Sequence, residues 1–252
     1  MPSRTASRLG TPSILLTGFG PFPGIEVNAS ARLAGLLARR ARRRWPHARV
    51  TSAILPTEWR RGPDRLAVLW ETLTPEVALH FGVSTHAIGL DIEIVGRNAC
   101  TNHEDARGAH PLSILHAEDG PETYSSTFPA REIVAALAAR GIPGCISDDA
   151  GTYLCNAILY RSLRHAASPP AAPNTATTSP PARRHLGAGP PPRKSPCLEK
   201  RAAAIMGFIH IPACLVGGGA DGTSPLAGCP LDWTQAVDGA MLALETTLAA
   251  LE

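Results

Sequence analysis

Hydrophobic and polar positions alternate along this chain in two rhythms. Short apolar runs at residues 14–16, 50–55, 77–81 and 208–211 read as strands. Between them lie stretches with the i, i+3, i+4, i+7 spacing of one helical face. Residues 31–44 carry Leu33, Leu36 and Leu37 on such a face. Residues 63–73 carry Leu66, Leu69, Trp70 and Leu73, with Pro63 suited to a first turn. Residues 129–140 form another helix, with Gly141 as its C-cap. Residues 143–146 lead through a turn into a helix from about Tyr153 to Arg164. The last helix follows Asp232 as N-cap, with Trp233, Val237, Met241, Leu244, Leu248 and Leu251 inward.

Strands that alternate with helices in this way predict an α/β fold. The expected form is a three-layer α/β/α sandwich around a mostly parallel twisted sheet, in a single domain. Its expected limits are a tail over residues 1–13 and a domain over 14–252. Residues 168–196 break the pattern. They hold nine of the 24 prolines, a single leucine and no aromatic residue. Such a stretch cannot bury enough apolar surface to offset its ordering entropy, so it reads as a disordered insertion. It also suits a polyproline ligand, because Pro190, Pro191 and Pro192 precede Arg193 and Lys194.

Composition narrows the function classes. Hydrophobic residues make up 44% and charged residues 18%, which fits a core-forming chain. The formal net charge of +3 is too weak to point to nucleic acid. Arg39, Arg40, Arg42, Arg43 and Arg44 cluster at a helix C-terminus, where cations suit the dipole. No apolar run approaches the ~18 residues of a membrane helix, and the first 13 residues lack the apolar core of a secretory leader. The six cysteines are irregularly spaced and read as mostly buried free thiols in a reducing cytoplasm. No Cys/His spacing suits a metal, and no cofactor is expected. Gly217, Gly218, Gly219 and Gly222 lack a Walker lysine, so they do not read as a phosphate loop.

Two residues stand out chemically. In Ser147-Asp-Asp-Ala-Gly-Thr-Tyr-Leu-Cys155-Asn156, a polar turn delivers Cys155 to a helix start. The helix dipole there favours a thiolate, although a small buried hydrophobe would also fit. His210 lies in the apolar strand Gly207-Phe-Ile-His-Ile-Pro212 and is the best-placed base for such a nucleophile. A satisfied core histidine fits the same position. Glu93, taken alone, reads as a solvated strand-edge carboxylate.

Three separated motifs together carry a family resemblance. They are Thr17-Gly-Phe-Gly-Pro-Phe22 with Asn28-Ala-Ser30, then Leu79-His-Phe-Gly82 with Ile92-Glu93 and Arg97-Asn98, then Ala150-Gly-Thr-Tyr-Leu-Cys155-Asn156 followed by Gly207-Phe-Ile-His210. In this set the chain resembles the type I pyroglutamyl peptidases, cysteine peptidases of the C15 type. The resemblance implies a cysteine exopeptidase that removes an N-terminal 5-oxoproline through a thioester acyl-enzyme. It implies Cys155 as nucleophile, His210 as base then acid, and Glu93 as the carboxylate orienting His210. It also implies Phe19 and Phe22 as walls of the lactam slot, with Thr57, Tyr153 and Leu154 in matching segments. The expected oxyanion donor is the Cys155 backbone N–H, and Asn28 is expected to cap a helix.

The implied partners are peptides with N-terminal pyroglutamate, with no nucleic acid or membrane, and a homo-oligomer is allowed. A different class of reading makes the chain a silent homologue that binds partners through its proline-rich arm. The chain departs from the family in lacking the proline of Asn-Pro-Ser and an arginine where the family places one beside the reacting carbonyl. His103 or Arg107 is the candidate to stand in for that arginine.

Overall fold

The computed structural model describes residues 11–167, 204–219 and 222–251. The proline-rich stretch 168–196 and Cys197 lie outside them. The described chain opens with β1 (Ser13–Phe19), α1 (Ala29–Arg44), β2 (Arg49–Leu55), α2 (Arg61–Leu73) and β3 (Val77–Ser84). Three short strands follow: β4 (Leu90–Glu93), β5 (Val95–Arg97) and β6 (Thr123–Ser125). Then come α3 (Ala130–Ala138), β7 (Gly144–Ser147), α4 (Leu154–Ala167), β8 (Ile205–Pro212) and α5 (Trp233–Ala249).

Six strands form one sheet in the order β2-β1-β3-β8-β4-β7. All neighbouring pairs are parallel except β4 against β8. Every residue of β1 and β8 is buried, as expected of strands covered by helices on both faces. The helices α1, α3 and α5 share one apolar core with the sheet, and α2 and α4 share the other. The three-layer sandwich read from the hydrophobic pattern is therefore present.

Local chemistry sets the element ends. Asn28 caps α1, its Oδ1 accepting from the Ser30 N–H at 3.1 Å. Asp232 and Gln235 form a reciprocal capping box on α5. The expected helix over 129–140 is shorter, and its C-cap is Ala139 rather than Gly141. Gly141 instead takes the left-handed φ of +64° that turns the chain toward β7.

The expected inward face of the last helix is present, with Met241 and Leu244 in the core and Trp233, Val237, Leu248 and Leu251 packed against it. Its buried residues are Ala236, Gly239, Ala240, Met241, Ala243, Leu244 and Thr247, while Trp233, Val237, Leu248 and Leu251 are only partly buried. Small residues share that face because α5 packs against both α1 and α3, and close helix approach excludes bulk. The strand at Ser13 begins inside the expected tail. Of the five described cysteines, all unpaired, Cys100 alone is buried and Cys145 is exposed, so the expectation of mostly buried thiols fails.

Candidate active site

The sheet brings Cys155, His210 and Glu93 together at the carboxyl end of its central strands. β8 carries His210, and β4 runs antiparallel beside it with Glu93 opposite Phe208 and Asp91 opposite His210. Glu93 is thus the diagonal neighbour of His210, within reach of a long side chain. Its Oε1 lies 2.7 Å from His210 Nδ1. Glu93 is 1% exposed and His210 7% exposed. The solvated-carboxylate alternative for Glu93 is therefore excluded. Its second oxygen, Oε2, is buried with no hydrogen-bond partner among the described residues.

α4 supplies the third group. The bend at Gly151, with φ +74°, leads into the helix at Leu154, so Cys155 is its second residue. The first helical bond reaching into that turn runs from Ala157 N–H to Tyr153 C=O, 3.1 Å. The Cys155 N–H therefore has no partner within the helix and points along the dipole's positive end. The Cys155 sulfur lies beside His210 in the same cavity, and Glu93 occupies Nδ1, which leaves Nε2 as the uncommitted ring nitrogen. Burial on its own would lower the imidazole's pKa. The Cys155 sulfur beside it, followed by Glu93, outweighs burial and holds the ring up to about 10.

The residue after the cysteine anchors this corner. Asn156 is 1% exposed. Its Oδ1 accepts from Arg97 N–H, and its Nδ2 donates to the Arg97 and Ala99 carbonyls, all at 2.8–2.9 Å. On the sheet side, Gly82 of β3 leaves room for the sulfur. A Cβ at that position would fall 2.9 Å from Cys155 Sγ and 2.7 Å from the Phe208 ring.

These three groups line a cavity of about 680 Å³, and so do Phe19, Phe22, Thr57, Tyr153 and Leu154. All eight expected site residues are thus in one place. Phe19 packs on Phe208, which in turn packs on His210, and Phe22 packs against Tyr153. Thr57 and Asn28 both donate to the Gly20 carbonyl, at 2.8 and 2.9 Å. They brace the loop between Phe19 and Phe22. The cavity also holds Asp91, which sequence reasoning missed; Cys145 donates to it at 3.2 Å. Its place on the face of Glu93 was available from the two-residue period of β4.

Neither candidate for the missing arginine lines this cavity. The carbonyl of His103 accepts from Trp59 Nε1, and Arg107 lines a different cavity. Among the described residues, no arginine lines the cavity that holds Cys155. No helix among the described residues is long and apolar enough to cross a membrane.

Comparison with known proteins follows the same lines. The profile of the pyroglutamyl peptidase family matches residues 12–174. The pyrrolidone-carboxylate peptidase of Pyrococcus furiosus is 33% identical over 156 residues, 62% of this chain and 74% of that protein. The enzyme of the same name from Chromobacterium violaceum is 35% identical over 162 residues, 62% of this chain and 73% of that protein. A solved structure of a mutant pyrrolidone carboxyl peptidase from Pyrococcus furiosus superposes with a TM-score of 0.70 at 25% identity, covering 95% of this chain and 99% of that one. The family profile ends before β8, so the placing of His210 rests on the fold and its contacts. This chain belongs to the pyroglutamyl peptidase family.

Proposed function

We propose that the protein hydrolyses the bond after an N-terminal pyroglutamyl residue, with Cys155 as nucleophile, His210 as acid and base, and Glu93 as the group that orients His210. One observation carries this reading: the His210 ring is held between a buried carboxylate and the Cys155 sulfur. A core histidine satisfied by structure alone would not lie beside a thiol in an open cavity.

The chemistry then follows. The lactam ring is flat and neutral and lies between Phe19 and Phe22. The Cys155 thiolate attacks the carbonyl carbon that joins the ring to the next residue. The carbonyl oxygen gains charge and is met by the Cys155 N–H. His210 gives its Nε2 proton to the leaving amine, the C–N bond breaks, and a thioester remains. Water then loses a proton to His210 and attacks the thioester carbon. The C–S bond breaks, and free pyroglutamate and the thiolate are released. Glu93 holds one ring orientation and stabilises the imidazolium throughout. A reducing, cytoplasmic setting suits the five unpaired cysteines.

Release of a fluorophore from a pyroglutamyl amide, under reducing conditions, tests the reading. Wild type is expected to turn over and Cys155→Ser to be inactive. A silent wild type removes the peptidase reading, and an active Cys155→Ser removes the nucleophile.

A further inference from the structure

A second cavity, of about 730 Å³, shares no lining residue with the one that holds Cys155. It is built from the start of α2, the loop over residues 100–118 and Arg161 of α4. Trp59 lines it and packs edge-on against Tyr153, which belongs to the first cavity.

Among the arginines that line it, Arg161 is the one that is partly buried, while Arg60, Arg61 and Arg107 are exposed. Glu58 pairs with Arg61 at 3.2 Å, and Asp64 with Arg60 at 3.9 Å. Asp105 accepts from the backbone N–H groups of Trp59, Arg107 and Ala109. Glu118 accepts from the Ser113 hydroxyl. Arg161 is half-buried. Its Nε has no hydrogen-bond partner among the described residues, and no ion pair there includes it. Burial lowers its pKa, and the long-range pull of Asp64 is the largest opposing effect. A desolvated cation without a counter-charge is costly, and such groups ordinarily meet an acceptor.

We propose that this cavity binds a small organic carboxylate, its anion on the Arg161 guanidinium and its apolar body against Trp59, Pro63, Pro111 and Leu115. A planar guanidinium fork matches a carboxylate in a two-bond arrangement. A phosphate dianion fits less well, because Glu58, Asp64 and Glu118 line the same cavity as the half-buried Arg161. The site is separate from Cys155, so its occupancy is read without turnover.

The test uses the full chain labelled with 15N, titrated with propionate and, separately, with inorganic phosphate. The Nε–H resonance of Arg161 is followed by NMR. Propionate is expected to shift it saturably and to bind more tightly than phosphate. Arg161→Gln is expected to weaken propionate binding by about tenfold or more, and Arg107→Gln to change it little. Where Arg161→Gln fails to fold, Arg161→Lys keeps the charge, loses the fork and is expected to weaken binding. A shift that does not saturate, phosphate binding as tightly as propionate, or unchanged affinity in the folded Arg161 variant would each overturn the proposal and leave a hydrated arginine.

Discussion

His210 Nδ1 and Glu93 Oε1 meet at 2.7 Å across the one antiparallel junction of the sheet. Because Glu93 is buried, its charge acts on the ring with little screening. Glu93→Gln keeps the shape and removes that charge. The wild-type imidazolium persists to a pKa of about 10, and raising the pH beyond that removes the proton needed by the leaving amine. The alkaline limb of kcat/KM is therefore expected to move to lower pH in Glu93→Gln. The rate at its optimum is expected to fall by about 10²-fold or more. A pH profile of both proteins checks this, and an unmoved alkaline limb would count against Glu93 as the orienting group.

Gly82 supplies a steric prediction. An added Cβ would lie 2.9 Å from Cys155 Sγ and 2.7 Å from the Phe208 ring. The ring is fully buried, so the sulfur and the His210 neighbourhood must shift. Gly82→Ala is expected to lose about 10²-fold in kcat/KM, because small displacements of reacting groups are expensive. Overpacking is expected to cost about 1–3 kcal/mol of stability. Kinetics and a urea unfolding curve read the two effects separately. Full activity in this variant would mean that the sulfur is free to move.

The thiols are expected to differ sharply in reactivity. Partial desolvation of its sulfur, helped by the hydrogen bond to Asp91, pushes the Cys145 thiol up to about 11. Burial and the neighbouring Cys229 push Cys214 to about 11 as well. Burial also raises Cys100, which donates to the Ser113 carbonyl. At pH 7.5 Cys145 and Cys214 are thiolate on the order of once in a few thousand molecules. Cys155 lies beside a charged imidazole. Iodoacetamide is expected to label Cys155 at least ~100-fold faster than Cys145. Peptide mapping of a brief reaction checks this, and equal labelling would contradict an activated Cys155.

Parts of this site were legible in the sequence for physical reasons. Cys155 follows a polar, glycine-containing turn and precedes a clear helical face, so its place at a helix start is local information. His210 is polar in an otherwise apolar run, which marks it at once. Glu93 carries no such mark. β4 is four residues long, and Leu90-Asp-Ile-Glu93 reads equally well as a solvated edge. Only the family motif singled Glu93 out, because its burial depends on β8, more than 100 residues later. The convergence of Asn28 and Thr57 on one carbonyl was invisible for the same reason. So was the set of small residues on α5, which close packing against α1 and α3 buries beside the larger hydrophobes. Arg161 left no trace in the sequence, since an arginine on a helix ordinarily reads as a solvated surface residue.

His80 links the β1–β3 core to the helix that bears Cys155. It is fully buried on β3, with Nδ1 2.7 Å from Thr17 Oγ1 and Nε2 2.8 Å from Ser162 Oγ of α4. Burial lowers its pKa to about 3, against an ordinary 6.5. Between those values the unfolded chain binds a proton that the folded chain refuses. The stability from this site is therefore complete above about pH 6.5 and is lost as the pH falls toward 3. The loss is expected to approach about 1.4 kcal/mol per pH unit once the pH is well below 6.5. His116, lowered to about 4 mainly by burial, adds to the same slope. Urea unfolding midpoints between pH 7.5 and 5 are expected to fall in wild type and to fall less steeply in His80→Gln, which has no proton to refuse. His80→Gln is also expected to be less stable at pH 7.5, because an amide cannot reproduce both ring contacts. Equal slopes in the two proteins would show that His80 already refuses its proton in the unfolded chain, or takes one up in the folded chain.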